Sequence, residues 1–263
     1  MKLDTPNDSV TLQVVEPHVA LVTINRPAAR NAVNGEVAAG LERAIVATEQ
    51  ADDIWTVILT GAGTQAFSAG ADLKEVSLGR MHALYTNAGG FAGFVHAPRT
   101  KPWIAAVNGF AVAGGFEIAL ASDMIVASED ARFGLPEVRR GLIAAAGGLY
   151  RLPRVLPRQL ACELIATGSD ISARRCADLG VVNRISAPGG AVSVAAELAA
   201  SICANAPIAV RESLMIARRS YDLIDSELRT LSETAQDRVM LTEDFREGPK
   251  AFIEKRAPNW VGR

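Results

Sequence analysis

Twice along this chain an apolar strand pattern runs into a glycine-rich stretch that then presents a carboxylate: FSAGAD at Phe67 to Asp72, and NGFAVAGGFE at Asn108 to Glu117. The strands that open the two units begin at Ile54 and Trp103, 49 residues apart, within the interval of roughly 20–50 residues that marks stacked supersecondary repeats. The copies share pattern more than identity. A chain that repeats strand, glycine turn and helix at this interval is expected to be α/β, with successive units lying against one another. Its 263 residues, 49% of them apolar, suffice for one large domain or a domain with an appendage.

The local patterns fill in the rest of the chain. Val10 to Glu16 and Val19 to Ile24 alternate around Pro17-His18 as a hairpin, which ends at Asn25-Arg26-Pro27. Asn34 is placed to cap a helix whose apolar face is Val37, Leu41, Ala44, Ile45 and Thr48. Ile54 to Thr60 reads as a buried strand and Glu75 to Val95 as a helical stretch. Trp103 to Val107, a helix from Gly114 and a strand Met124 to Ala127 follow. From Pro157 the pattern is mostly helical: Gln159–Thr167, Ala173–Leu179, Gly190–Asn205, Ile208–Ser220 and Asp222–Leu241, broken by Val181–Ile185. Pro207 is the best boundary, because proline starts a helix well and disfavours helical geometry in the residue before it. Residues 1–206 then form the core and 207–263 a helical region. Leu223, Leu228, Leu231 and Val239 exceed what so small a region can bury alone, so it should pack on another body or subunit.

Composition removes several classes of function. Lys plus Arg total 27 against 29 Asp plus Glu, so no bulk positive field attracts nucleic acid or anionic lipid, and a small-molecule partner is expected. Cys162, Cys176 and Cys203 have neither CxxC spacing nor histidine companions, which suits free thiols in a reducing, cytoplasmic compartment and no metal site. MKLDTPNDSV has no apolar signal core, and the longest apolar stretch, Trp103 to Ala127, is broken by Asn108, three glycines, Glu117 and Asp123, so neither secretion nor membrane insertion is expected.

Gly61-Ala62-Gly63-Thr64-Gln65-Ala66 has the G-x-G-x-x-G/A form, but a dinucleotide site needs a helix opening inside the glycines. Here a second turn comes first. Ser68 lacks the G-x-S-x-G elbow of a serine nucleophile. The glycine turns are a stronger case: Gly70, Gly114 and Gly115 allow close backbone approach, and Gly114 stands where a helix begins, so its N–H and the helix dipole favour an anionic oxygen. Two such amides converging on one oxygen would stabilise a developing negative charge. Tight turns packed under neighbouring strands explain the same glycines equally well. Glu117 lies one turn into an otherwise apolar helix, where burial would raise its pKa toward neutrality. Glu137 follows the rigid Phe133-Gly134-Leu135-Pro136, which would aim it into a cleft; the plainer alternative is an ion pair with Arg139 or Arg140.

The ordered run of FSAGADLKE, KPWIAAVNGFAVAGGFEIALASDMIVAS, ARFGLPEVRRGL, GGLYRLPRVL, ADLGVVNRI and EGPKAFIEKRAPNW resembles the crotonase, or enoyl-CoA hydratase/isomerase, superfamily along nearly the whole chain. The resemblance implies a crotonase-like spiral of repeated β-β-α units and a helical C-terminal region that builds a homotrimer or a dimer of trimers. It implies that the amides of Ala71 and Gly114 form an oxyanion hole for a thioester carbonyl, and that Glu117 and Glu137 are the two glutamates of hydratases. Asn25 to Asn31, with Arg30, and Asp72-Leu73-Lys74 resemble the parts that hold coenzyme A. Ala69 and Gly115 flank the amide donors as substrate-binding positions, and Lys255, next to Arg256, is expected to reach coenzyme A phosphates of a neighbouring subunit. Ala28 lacks a basic residue often found in the NRP segment. Ala145 replaces a glycine near the catalytic water of familiar hydratases, so the floor of the acyl pocket should differ.

The implied activity is reversible syn-hydration of a 2-enoyl-CoA to a 3-hydroxyacyl-CoA in lipid metabolism. No metal or redox cofactor is expected, since coenzyme A arrives as part of the acyl-CoA substrate. Two alternatives within the superfamily are an enoyl-CoA isomerase and a specialised hydroxyacyl-CoA dehydratase of the carnitinyl-CoA type. A noncatalytic RNA-binding or assembly role is a third; the net charge of -2 speaks against it, although Arg139, Arg140, Arg151, Arg154 and Arg158 form a local basic group.

Overall fold

The computed structural model describes residues 6–263. Part of the signal-peptide reading therefore falls on Met1–Thr5, outside the described residues. Strands β1 (Val10–Glu16) and β2 (Val19–Ile24) pair antiparallel as the alternation predicts. Helix α1 (Gly35–Gln50) follows, with the Asn34 side chain accepting from the Val37 amide at 3.0 Å. The chain then enters a repeated course. Strand β3 (Thr56–Gly61) leads to a short strand β4 (Ala66–Ser68) and helix α2 (Leu73–Ser77).

The predicted helix from Glu75 to Val95 does not form beyond the end of α2. That segment holds a 3₁₀ turn (Met81–Leu84) and a two-stranded ladder of β5 (Tyr85–Thr86) and β6 (Gly90–Phe91). Gly79, Gly90, Ala92 and Gly93 all have positive φ, which a right-handed helix excludes.

The second course is β7 (Trp103–Val107), β8 (Phe110–Val112) and α3 (Gly114–Ala121). The third is β9 (Met124–Ser128) and β10 (Arg132–Gly134), then a 3₁₀ turn (Pro136–Arg140) and α4 (Gly148–Val155). Helix α5 (Arg158–Thr167), β11 (Asp170–Ser172), α6 (Ala173–Asp178), β12 (Arg184–Ser186) and α7 (Ala191–Cys203) complete the winding. The helices α8 (Pro207–Arg219), α9 (Asp225–Met240) and α10 (Glu243–Glu254) form the C-terminal part.

Two sheets result. One has the order β1-β2-β3-β7-β9-β12 and the other β11-β10-β8-β4. Each of β3, β7 and β9 thus hands the chain to a short strand in the second sheet before a helical turn returns it, which is a β-β-α spiral. The inner strands β3, β7 and β9 of the first sheet read as continuous apolar runs because both of their faces are covered. Val57, Leu59, Ala105, Val107, Ile125 and Ala127 point into the main core, while Ile58, Ile104, Ala106 and Val126 meet Ala191, Ala195 and Ala199 of α7. Alanines at every fourth position let that helix approach closely. Asparagine amides tie successive courses: Asn108 donates to the carbonyls of Gly61 and Gly63, and Asn31 to those of Ala62 and Ala66. Among the described residues, no single helix is long and apolar enough to cross a membrane.

Candidate functional site

The first amide donor is built by a strand-like contact beside a left-handed glycine. Ser68 is fully buried and its hydroxyl donates to the Asn31 carbonyl at 2.9 Å while accepting from the Gly70 amide at 3.2 Å, so it braces a turn and has no nucleophile's exposure. Val33 donates to Gly70 O at 2.8 Å and accepts from Asp72 N at 2.9 Å. In a parallel bridge of this kind the middle residue, Ala71, turns its own N–H to the opposite side, toward the cleft. Gly70 holds φ at 82° there, and a methyl group on it would lie 2.6 Å from the Gly114 nitrogen. The two turns are therefore in contact.

The second donor sits at the start of α3. Ala113, a non-glycine residue at φ 53°, occupies a strained region of backbone space. Its amide is fixed on the Gly134 carbonyl at 2.9 Å and its carbonyl accepts from Phe116 and Glu117. This leaves Gly114 at the first helical position, where the N–H has no partner within the helix. Neither the Ala71 nor the Gly114 amide donates to any group among the described residues.

Helix α3 then places Glu117, only 3% exposed, beside this pair. Its Oε1 accepts from the Gly148 amide at the start of α4 at 2.8 Å. Burial pushes its pKa up to about 7, against the pull of the Gly148 amide, and the negative charge of Glu137 adds to the rise. Glu137 lies on the 3₁₀ turn Pro136–Arg140, and burial raises its pKa too, opposed by a backbone hydrogen bond and the charge of Arg140. Its Oε2 is buried with no hydrogen-bond partner among the described residues. The alternative ion pair is not made: Arg139 turns away to the Thr167 carbonyl at 3.1 Å, and no salt bridge joins Glu137 to Arg140 among the described residues.

Both carboxylates and both donor residues line one cleft of about 680 Å³. Arg30, Ala69, Asp72, Leu73, Lys74 and Ala145 line it as well. The Asp72 carboxylate, however, is bound to Arg26 at 3.0 Å and caps α2 through the Lys74 amide. Gly115 does not reach the cleft. A side chain on it would collide with the Ser68 carbonyl, so this glycine serves the packing of α3 on β4. Lys255 is exposed at the end of α10 and does not line the cleft of its own chain. The basic group is largely committed internally: Arg151 donates to the carbonyls of Val95 and Ala146, and Arg154 pairs with Asp222.

Several lining residues escape a reading of the sequence. Met81, Tyr85 and Phe91 belong to the segment expected to be helical; the Phe91 ring lies 2.5 Å from where a methyl group on Gly114 would sit. The contact of Gly148 with Glu117 spans 31 residues. Its only signal is the Gly147-Gly148 pair ahead of a helical pattern.

With this geometry, the comparisons with known proteins agree. Residues 15–263 match the family described as Enoyl-CoA hydratase/isomerase, and the chain belongs to that family, within the crotonase superfamily. A mevalonyl-coenzyme A hydratase of Aspergillus fumigatus is 38% identical over 93% of this chain and 92% of its own length. A carnitinyl-CoA dehydratase of Salmonella typhi is 38% identical over 92% of this chain and 94% of its own. The crystal structure of an enoyl-CoA hydratase from Mycobacterium tuberculosis H37Rv matches with a TM-score of 0.93 at 40% identity, covering 98% of this chain and 100% of that one.

Proposed function

We propose that the protein catalyses reversible syn-hydration of a 2-enoyl-CoA thioester to a 3-hydroxyacyl-CoA. The observation that carries this reading is the presence of the buried Glu117 and the half-buried Glu137 in one cleft with the amides of Ala71 and Gly114, which donate to no group among the described residues. The amides receive the thioester oxygen as it gains enolate charge, which draws electrons from the conjugated alkene and makes its β-carbon electrophilic. Glu117 takes a proton from the attacking water, whose oxygen bonds to the β-carbon. Glu137 delivers a proton to the α-carbon from the same face. The reaction needs one carboxylate ionised and one protonated, and burial together with mutual repulsion separates their titrations as a pair.

Coenzyme A enters as part of the substrate, with Arg30 and Lys74 at the cleft margin as contacts for its phosphates. No metal or redox group takes part in this scheme. The chain acts as a homotrimer or a dimer of trimers, with Lys255 serving a neighbouring cleft. Dehydration of a 3-hydroxyacyl-CoA is the same chemistry reversed, whereas isomerisation of a 3-enoyl-CoA requires only one of the two glutamates. Separate Glu117→Gln and Glu137→Gln variants, assayed with crotonyl-CoA, distinguish them. Each is expected to lower hydration by about a hundredfold to ten-thousandfold. Undiminished hydration in Glu117→Gln would remove the assigned base.

A further inference from the structure

Arg140 is a cation in the cleft wall whose guanidinium makes no salt bridge or hydrogen bond among the described residues. It ends the 3₁₀ turn Pro136–Arg140, and in that helix residues three apart eclipse one another. Glu137 and Arg140 are three apart, so they share a face, and both line the cleft. They are nevertheless not joined by a salt bridge. With a rise of about 2.0 Å per residue, Arg140 stands about 6 Å further along the turn than Glu137.

Resting on the hydratase reading, the thioester fixes which end of the cleft this is. Its carbonyl lies at Ala71 and Gly114, its pantetheine arm runs toward Arg30 and Lys74, and its α- and β-carbons lie between the glutamates. Acyl carbons beyond the β-position then pass Glu137 toward Arg140. The same cleft wall holds Met81, Leu142 and Ile143, with the Tyr85 hydroxyl as a second donor that has no partner among the described residues. An apolar passage that ends in an unspent guanidinium fits a chain that is hydrocarbon in its middle and negative at its end.

We propose that Arg140 selects acyl-CoA substrates whose chain ends in a carboxylate, with the guanidinium binding that group. Arg140 is exposed, so solvent limits the gain to a moderate factor.

The test is binding of saturated thioesters, which needs no turnover and is therefore separate from the hydratase reading. Dissociation constants are measured by calorimetry for glutaryl-CoA against valeryl-CoA and for adipoyl-CoA against hexanoyl-CoA. At least one diacid is expected to bind tenfold or more tightly than its monoacid partner, with the advantage lost in Arg140→Leu and in Arg140→Gln. Affinities within threefold in both pairs, or an advantage that survives both substitutions, overturns the proposal. So does a change confined to the pH profile of crotonyl-CoA hydration, which would assign Arg140 to Glu137 alone. A diacid preference without any hydration leaves the selectivity standing and rejects the hydratase.

Discussion

Glu117 carries its charge against its surroundings. A carboxyl whose folded pKa is raised to about 7 from 4.5 binds its proton more tightly in the folded chain than in the unfolded one. Its contribution to stability is therefore intact below about pH 4.5 and is progressively lost as pH rises to about 7, where ionisation costs the fold on the order of 3 kcal/mol. Gln at this position keeps an oxygen for the Gly148 amide and discards the charge. Glu117→Gln is thus expected to melt at a higher temperature than the wild type at pH 8, with the gap closing at pH 5, while hydration collapses. A lower melting temperature at pH 8 would show that the carboxylate stabilises the site. Gly70 makes the complementary point about backbone. Ala there meets φ 82° and a contact of 2.6 Å with the Gly114 nitrogen, so Gly70→Ala should lower unfolding free energy in denaturant by more than about 1 kcal/mol. It should also reduce kcat/KM, since the atom displaced belongs to a proposed oxyanion donor.

Helix α8 is held to the spiral chiefly by the Arg218 guanidinium, with Arg211 adding one longer bond to the Ile54 carbonyl at 3.4 Å. Arg218 forks onto Asp123 at 2.7 and 2.8 Å and also donates to the carbonyls of Arg99 and Lys101, while Asp123 accepts from the Trp103 amide. Arg218→Ala leaves the Asp123 carboxylate, 11% exposed, without its cation, at a cost of roughly 2–4 kcal/mol. Amide exchange should accelerate in α8 and remain slow in α3; equal acceleration in both would show that α8 unfolds only with the core. Arg218 was invisible in the sequence because its partners lie 95 to 119 residues away. The elements that were legible carry their own instructions: the alternation of β1 and β2, Asn34 ahead of α1, and Gly114 at the start of α3. The second sheet was not legible locally. Strands β4, β8, β10 and β11 have three residues each, too few to show a period; the first three fall in segments that read as turns, and β11 falls in the gap between two predicted helices. Helices α4 and α10 were missed because Pro153 and Pro249 interrupt their patterns. At the site, glycine turns and carboxylates in apolar runs singled out Glu117 and Glu137 as candidates, and the fold brings both to one cleft. The same glycines misassigned Gly115, because close approach to a strand and close approach to a ligand require the same missing side chain.

The end of the chain leaves apolar surface that the spiral does not cover. Leu241, Phe252 and Ile253 are 83%, 85% and 79% exposed, a grouping that marks an interaction face when contiguous. Lys255 follows Ile253 by two residues, at the left-handed cap of α10. In the proposed trimer, docking that buries Phe252 and Ile253 would carry Lys255 to a neighbouring chain, and substrate binding becomes linked to assembly. The double variant Phe252→Glu with Ile253→Glu is expected to sediment as a monomer. If Lys255 only binds coenzyme A, that monomer should show a raised KM for crotonyl-CoA with kcat little changed, and Lys255→Glu in the intact assembly should raise KM alike. An unaltered mass in the double variant would locate the interface elsewhere. A true monomer with wild-type KM would separate the two ideas, keeping this face as the contact and removing Lys255 from the binding of coenzyme A.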